Sequence, residues 1–357
     1  MLHIKSSNSA YNKIESRGDV KLNFKKFSAA AALSFLLLFK SAAAVSDTVF
    51  INGGAIGITL SCGGAEIAKI SEIETPDGSF KSPAKAAGLK EGDIITAVNG
   101  EEVGSASEFS KALKECKEKS VMLSVLRGGK KLTTKITPIV SNESGGALVG
   151  IFVKDSSSGI GTLTFFDPEE KVFGALGHGI SDASGSSDIK ISGGNVRNAE
   201  IVAVSKGEKG SPGELKGIFG SEDEPLGKVS KNTPVGIFGT MTGENLGDGQ
   251  TIKLGTKNDV RVGKAYILAN VEGKRTERFD IEISDVPCIS GDKTKGMVIK
   301  ITDPRLLAKT GGIVRGMSGC PIVQSGRLVG AVTHVFVNDP SLGYGIFIDD
   351  MIAEAEK

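Results

Sequence analysis

A serine among glycines is the first candidate for a reactive residue. It lies in residues 312–323, which have the sequence GIVRGMSGCPIV. Ser318 stands between Gly316 and Gly319, and an apolar segment that begins at Pro321 follows it. A nucleophilic serine needs a tight turn of small residues, because its hydroxyl must be exposed while backbone N–H groups converge on a developing oxyanion. The pattern therefore predicts Ser318 as a nucleophile.

A serine hydroxyl is a poor nucleophile at neutral pH and needs a base. The sequence GALGHG at 174–179 brings His178 into a glycine turn at the end of a predicted strand, and this is the best base available. Each motif alone is typical of a plain turn, but together they predict a trypsin-like serine peptidase. Cys320 is a minor alternative nucleophile, because it lies two residues beyond the expected position. His334 is interpreted as a packed strand histidine.

The carboxylate that would hold the imidazole tautomer is not identified by spacing. On the residues alone, seven aspartates stay open for this role: Asp182, Asp188, Asp259, Asp280, Asp285, Asp292 and Asp303.

Residues 50–138 show the order of elements of a small binding module. Ser82 and Pro83 predict the start of a short capped helix, Asn99-Gly100 a hairpin turn, and Ser105-x-x-Glu108 a capping box that opens a second helix. The string SPAKAAGLKEGDIITAVNG at 82–100 resembles a bacterial PDZ domain.

This resemblance implies a peptide C-terminus bound as an added strand beside residues 58–60. Backbone amides near Ile56, Gly57 and Ile58 would then hold the terminal carboxylate. The alternative is a packing domain with an empty groove.

The N-terminus has the layout of a targeting segment. A basic stretch precedes an apolar run at 27–39, and small residues follow at 41–45. This order predicts a secretory signal, or a retained membrane anchor, over residues 1–45, with the rest of the chain outside the cytoplasm.

Composition limits the remaining function classes. The 43 Lys and Arg balance 42 Asp and Glu, which argues against a dedicated nucleic-acid binder. The 48 glycines in 357 residues, with short apolar runs between glycine turns from 147 to 284, predict a mainly β fold of the barrel or sandwich type. The four cysteines have no metal-ligand spacing and are expected to be separate thiols, and neither a metal nor a cofactor is expected.

One family combines these features. The signal segment, the PDZ domain, GALGHG, the serine motif and GRLVGAVTHVFVNDP at 326–340 together resemble the stage IV sporulation protein B (SpoIVB) peptidase family. The resemblance implies a signal or anchor at 1–45, a PDZ domain at 50–138 and a trypsin-like double β-barrel at 139–357. It also implies His178 as base, Ser318 as nucleophile and Asp303 as acid, with the amides of Gly316 and Ser318 as oxyanion hole.

The family resemblance further implies a role in sporulation signalling. Such a peptidase cleaves itself and an extracytoplasmic part of a membrane-bound regulator, between the forespore and mother-cell membranes, and so activates a membrane-embedded protease that processes a sigma factor. Two alternatives stay open: a non-catalytic PDZ adaptor, and a general extracytoplasmic quality-control protease.

Overall fold

In a computed structural model of the chain, the described residues are 45–116, 119–141, 147–181, 191–221, 225–242, 249–287 and 291–357. The predicted signal or anchor segment up to residue 44 lies outside them, as do Asp182, Asp188 and Cys288. Within these described ranges, no helix is long and apolar enough to cross a membrane.

Strands dominate the structure, as the sequence predicts. Their bounds are β1 (Thr48–Ile51), β2 (Ala55–Ile70), β3 (Ile73–Glu74), β4 (Phe80–Lys81), β5 (Ile94–Val98), β6 (Glu101–Glu102), β7 (Val121–Arg127), β8 (Lys130–Ile136), β9 (Ile139–Val140), β10 (Ala147–Leu148), β11 (Ile151–Asp167), β12 (Val172–Ala175), β13 (Gly193–Ser205), β14 (Glu214–Phe219), β15 (Gly227–Thr233), β16 (Gly236–Met241), β17 (Gln250–Leu254), β18 (Gly263–Glu272), β19 (Arg275–Asp285), β20 (Met297–Ile301), β21 (Pro321–Gln324), β22 (Arg327–Phe336) and β23 (Asp339–Phe347).

The helices are short and lie between the strands or at the end of the chain. They are α1 (Pro83–Ala86), α2 (Ala106–Cys116), α3 (Pro304–Thr310) and α4 (Ile348–Ala355), with 3₁₀ turns at Lys257–Asp259 and Lys293–Lys295. The cap predicted for the first helix is present, because the Ser82 side chain accepts a hydrogen bond from the backbone N–H of Lys85.

Two closed antiparallel barrels form the larger part of the described chain. The first barrel runs β2–β11–β12–β16–β15–β13 and returns to β2. The second barrel runs β18–β19–β20–β23–β22–β21 and returns to β18. Six strands each, with side chains filling the interior, confirm the trypsin-like double barrel.

Each barrel has its own apolar interior, and a third apolar cluster joins them. Phe173 and Ile237 are buried in the first barrel, and Ile267 and Ile299 in the second. The joining cluster combines residues of β1, β11, β16, β21 and β22 with Met351 of α4. Because β1 pairs with β11 and also with β17, which in turn pairs with β22, the two barrels are linked by hydrogen bonds as well.

The PDZ domain is inserted into the first barrel through two long strands. Residues 55–61 of β2 pair with β11 and β13 in the barrel, whereas the far end of β2 pairs with β5 and with residues 151–154 of β11. Strands β5, β7 and β8 complete this sheet, and Phe109 and Leu113 of α2 pack on it.

The predicted boundaries at 50–138 and 139–357 therefore differ from the pairing. The first strand predicted for the PDZ domain belongs to the barrel, and the start of β11, expected in the peptidase domain, belongs to the PDZ sheet. The sequence misleads here because an apolar strand after a glycine turn looks the same in both domains, and a single strand runs through both.

Candidate active site

Ser318 lies in the loop that leads from α3 into β21, which we call the nucleophile loop (residues 311–320). It is half-buried and lines a cavity of about 470 Å³ together with His178. Its hydroxyl donates a hydrogen bond to the carbonyl of Thr333, with Oγ and O 2.9 Å apart. The hydroxyl hydrogen must therefore leave this bond, by turning about the Cβ–Oγ bond, before it can pass to a base.

The carbonyl groups of the nucleophile loop around Ser318 are all bonded inside the protein. The acceptors and donors are Arg315 O with Leu215 N (2.8 Å), Gly316 O with Thr162 Oγ1 (2.9 Å), Met317 O with Cys320 N (3.0 Å), Ser318 O with Thr162 N (3.0 Å) and Gly319 O with Thr164 Oγ1 (2.8 Å).

The backbone N–H groups of the same loop divide into two sets. Arg315 N donates to Gly213 O, Met317 N to Val314 O and Gly319 N to Val332 O. Within the described residues, the N–H groups of Gly316 and Ser318 have no acceptor, and both residues line the cavity. Buried backbone N–H groups are almost always paired, so two unpaired ones at a cavity wall are suited to bind an anionic oxygen. They are the two amides that the family resemblance implies.

His178 follows β12 and faces the same cavity from the first barrel. Its Nδ1 lies 2.8 Å from the carbonyl oxygen of Gly179. Because a carbonyl oxygen can only accept, Nδ1 is the donating nitrogen, and in the neutral imidazole Nε2 then carries the lone pair. A neutral imidazole in this tautomer can take a proton from a serine hydroxyl.

The loops that carry His178 and Ser318 pack closely against each other. At Gly319 (φ +94°), an added Cβ would lie 2.2 Å from Thr162 O and 2.6 Å from Leu176 N. At Gly177 (φ +71°), it would lie 3.0 Å from a methyl carbon of Thr333. Only glycine fits both this backbone conformation and this spacing, so these two positions set how near the barrels approach at the site.

Two threonines of β11 hold the nucleophile loop, and sequence reasoning missed both. Thr162 and Thr164 are buried, they face the same side of the strand, and their hydroxyls donate to loop carbonyls on either side of Ser318. The signal was present as two threonines spaced by two in an otherwise apolar strand, because a buried hydroxyl must find a partner.

His334 was expected to be a packed strand histidine, but the structure places it beside His178. The two ring centroids are 4.8 Å apart and both side chains line the cavity. Partial withdrawal of the His334 ring from water, followed by the charge of His178, lowers the pKa of His334 to about 4. His334 is therefore neutral at pH 7 and places no positive charge next to His178.

Asp303 lies away from this cavity, among other partners. Its buried carboxylate caps α3 by accepting from Arg305 N (2.9 Å), pairs with the Arg305 guanidinium (2.8 Å) and accepts from Asp280 N (3.3 Å). The hydrogen bond from the Arg305 side chain is the main reason that the pKa of Asp303 is lowered. The structure thus brings His178 and Ser318 to one cavity but does not place Asp303 on its wall.

The charge of Asp292 acts on the pair formed by His178 and His334. It raises the pKa of His334, although desolvation lowers this pKa by more. Its carboxylate accepts from the hydroxyl of Thr294 (2.7 Å) and pairs with Lys295 (3.0 Å). The Thr294 hydrogen bond, with the charge of Lys295, lowers the pKa of Asp292.

Cys320 is fully buried behind the nucleophile loop, where its thiol donates to the hydroxyl of Thr162 at 3.6 Å. Burial raises the pKa of Cys320 to about 12. A thiol that stays protonated in the core is a packing group and not a nucleophile. Cys62, Cys116 and Cys320 are free thiols in the described part of the chain.

The walls of the active-site cavity are mainly apolar. Side chains from both barrels contribute: Ile58, Ile160, Leu176, Ile180, Ile313, Val314 and Val335. The charged group at the cavity is the exposed Arg315. In the residues that the structure describes, no cluster of His, Cys, Asp and Glu is arranged to hold a metal ion.

The predicted carboxylate site of the PDZ domain is wrong. Ile56, Gly57 and Ile58 pair with β11 on one side and with β13 on the other, so they lie inside the first barrel and offer no free strand edge. A Cβ at Gly57 would also meet the ring of Phe219 at 2.6 Å. Both edges of this strand are occupied, and a peptide cannot add there.

The structure offers a different groove for a peptide, between α2 and residues 148–153. We call it the PDZ groove; its cavity of about 470 Å³ is lined by Phe109 and Leu113 of the helix and by Leu148 and Phe152 on the strand side. Residues 151–154 pair with β2 along one edge, and within the described residues the other edge has no strand partner. The Phe152 side chain is 61% exposed, which is unusual for a large apolar residue without a ligand.

Family models match both the peptidase part and the PDZ part of the chain. Residues 145–352 match the family model SpoIVB peptidase S55, and residues 80–127 match the model of the PDZ domain. The first match covers more than half of the chain.

Individual relatives match only short parts of the chain. It is 44% identical over 57 residues to Serine protease HTRA1 of Xenopus laevis, which is 16% of this chain and 12% of that protein. It is 35% identical over 94 residues to the Probable periplasmic serine endoprotease DegP-like of Chlamydia pneumoniae, which is 24% of this chain and 19% of that protein. The chain thus spans less than one fifth of the length of either relative.

Solved structures resemble the chain at low identity. The inactive form of the Rv3671c protease from M. tuberculosis H37Rv is 13% identical with a TM-score of 0.31, over 55% of this chain and 84% of that chain. The HtrA-type protease AlgW with decapeptide is 16% identical with a TM-score of 0.32, over 57% and 55%.

Cys320 is expected to resist alkylation in the folded protein. With its pKa near 12, only about 10⁻⁴ of the thiol is ionised at pH 8. Iodoacetamide at pH 8 should modify the half-buried Cys116 and leave Cys320 intact, as read by peptide mass mapping, without loss of peptidase activity. Alkylation of Cys320 in step with loss of activity would restore it as the nucleophile.

The Asp303→Asn variant tests whether Asp303 is a structural residue that caps α3 or a catalytic carboxylate. Asparagine keeps the helix cap but loses the ion pair with Arg305, so the melting temperature should fall while kcat stays within about tenfold of the wild type. A triad carboxylate replaced by its amide typically costs about 10⁴-fold in kcat. A loss of that size in a folded variant would return Asp303 to the catalytic centre.

Proposed function

The chain belongs to the SpoIVB peptidase S55 family, a family of serine endopeptidases, and we propose that it cleaves peptide bonds with Ser318 as nucleophile and His178 as base. The observation that carries this proposal is the pair of unpaired N–H groups of Gly316 and Ser318 at the cavity that both side chains share. A structural remnant would not require two unbonded amides beside a serine.

The chemistry follows from this geometry. His178 Nε2 accepts the proton of Ser318 Oγ, which forms a bond to the carbonyl carbon of the substrate. The carbonyl oxygen becomes an oxyanion that accepts hydrogen bonds from the N–H groups of Gly316 and Ser318. The protonated His178 then gives its proton to the leaving amine, and an ester of Ser318 remains. Water, deprotonated by His178, hydrolyses this ester and restores the serine.

The tautomer of His178 is set by the carbonyl of Gly179 in this proposal. In a serine-histidine-aspartate triad a carboxylate performs this task. The family resemblance gives the task to Asp303, whose carboxylate is bonded to Arg305 and Asp280 N in this structure. A carbonyl fixes the same tautomer but adds no full negative charge opposite the imidazolium.

The biological role proposed here follows the family. We propose that the peptidase acts in sporulation, outside the cytoplasm, where it cleaves itself and an extracytoplasmic part of a membrane-bound regulator. Support comes from the family match and from the match to a relative described as periplasmic. The predicted signal or anchor at 1–45 would deliver it there.

We also propose that the PDZ groove captures a peptide with an apolar C-terminus. The open edge of residues 151–154 provides backbone hydrogen-bonding groups, and Phe109, Leu113 and Phe152 provide apolar contacts. Peptides commonly bind PDZ domains by adding a strand to such an edge. A pure adaptor would use this groove alone, which is the second candidate function.

Replacement of the nucleophile decides between peptidase and adaptor. The wild-type chain should incorporate one equivalent of a fluorophosphonate probe and cleave a casein substrate, and Ser318→Ala should do neither. His178→Ala should slow labelling on the order of 10³-fold or more. Ser284→Ala, on the exposed surface of β19, is the matched control and should behave as wild type. Equal labelling of wild type and Ser318→Ala would refute Ser318 as nucleophile.

Peptide capture is tested with fluorescein-labelled octapeptides that end in Val, Leu or Phe. Phe152→Asp should weaken binding tenfold or more, measured by anisotropy, because it places a charge against the apolar wall of the groove. The control is Val262→Asp, which changes an equally exposed residue at 61% on the second barrel. If both variants bind the peptides as well as wild type, the groove is not the peptide site.

A further inference from the structure

We propose that Thr162 is a positioning residue that sets the oxyanion hole from the opposite barrel. The proposal rests on the proposed function, because it assigns an oxyanion role to the amides of Gly316 and Ser318. Thr162 lies in β11 and is only 2% exposed, and it contacts the nucleophile loop through its side chain and through its backbone.

Thr162 holds two carbonyls that alternate along the loop. Its hydroxyl donates to Gly316 O at 2.9 Å, and its backbone N–H donates to Ser318 O at 3.0 Å. The carbonyls of Gly316 and Ser318 therefore both point towards β11. In a planar trans peptide the N–H points opposite to the C=O, so the direction of each carbonyl fixes the direction of the following amide.

The peptide that carries Gly316 O, which the Thr162 side chain holds, lies between the two peptides that carry the oxyanion donors. The N–H of Ser318 belongs to the peptide that lies between the carbonyls of Gly316 and Ser318, and the N–H of Gly316 belongs to the peptide just before them. The carbonyl of Met317 is bonded to Cys320 N, which completes the fixed orientation. Arg315 O, in the peptide of the Gly316 N–H, is likewise bonded to Leu215 N. Because the peptide between the two donor peptides is anchored by Thr162, both N–H groups stay directed into the cavity.

Of the two anchoring bonds, one depends on the side chain. The backbone N–H of residue 162 remains in any replacement except proline, but the bond to Gly316 O needs a hydroxyl. A valine at 162 would leave that buried carbonyl without a donor, which is costly. The carbonyl can recover a partner by turning towards the cavity, and this movement turns the N–H of Met317 with it and disturbs the two donor peptides on either side.

Thr164 offers a comparison within the same strand. Its hydroxyl donates to Gly319 O at 2.8 Å, beyond Ser318 and in a peptide that is adjacent to neither donor peptide. Thr134 of the PDZ domain offers a distant comparison, because its hydroxyl also donates to a backbone carbonyl, that of Ala87, at 2.8 Å. Loss of stability alone should be shared by the valine variants of Thr162 and Thr134, whereas loss of oxyanion geometry should occur at Thr162 and not at Thr134.

The test uses the full chain with Thr162→Val, Thr162→Ser and Thr134→Val. Thr162→Val should lower kcat for a casein-derived peptide between ten- and a hundredfold with KM nearly unchanged, since a misplaced oxyanion donor acts on the transition state. Thr162→Ser keeps the hydroxyl and should restore kcat to within about threefold. The Thr134 variant should keep wild-type kcat.

A second readout does not depend on catalysis. Amide hydrogen exchange of a peptide covering residues 313–320 should be at least tenfold faster in Thr162→Val than in wild type or Thr162→Ser, and unchanged in Thr134→Val. Unchanged exchange and unchanged kcat in folded Thr162→Val would overturn the proposal. If wild type were inactive, the proposed function would fail, and the exchange result would still decide whether Thr162 holds the loop.

Discussion

The structure of the active site depends on how the backbone of residues 315–320 is hydrogen-bonded. Each carbonyl from Arg315 to Gly319 has a donor, and the N–H groups of Arg315, Met317, Gly319 and Cys320 have acceptors. Within residues 315–320, all of which the structure describes, the N–H groups of Gly316 and Ser318 are thus left for a ligand. A loop without these bonds could turn either amide towards its own carbonyls or to water. The proposed oxyanion hole is thus a consequence of satisfying the rest of the loop internally.

This constraint requires both barrels. The nucleophile loop belongs to the second barrel, but Thr162 and Thr164, which bond its carbonyls, belong to β11 of the first. Gly319 and Gly177 allow the two loops to approach closely. The same β11 begins in the PDZ sheet at residues 151–154, so one continuous strand runs from the PDZ groove to the residues that hold the nucleophile loop.

Sequence reasoning identified what depends on local chemistry. The serine turn, the histidine turn, the capped PDZ helix and the mainly β fold follow from glycine positions, caps and short apolar runs, and the structure has them. It did not locate Thr162, His334 or the PDZ groove, because these depend on which strands become neighbours. It placed Ile56–Ile58 in the wrong domain since a strand pattern does not reveal its partners. Asp303 matches a family motif, but its carboxylate forms an ion pair with Arg305 and does not line the cavity of His178 and Ser318.

The most direct test is an experimental structure of the chain after reaction with a fluorophosphonate. The phosphonyl group should be bonded to Ser318 Oγ, with its oxygen about 2.7–3.1 Å from the backbone nitrogens of both Gly316 and Ser318. Thr162 should still donate to the carbonyls of Gly316 and Ser318. An adduct whose oxygen points away from these two nitrogens, or one formed on another residue, would contradict the proposed active site.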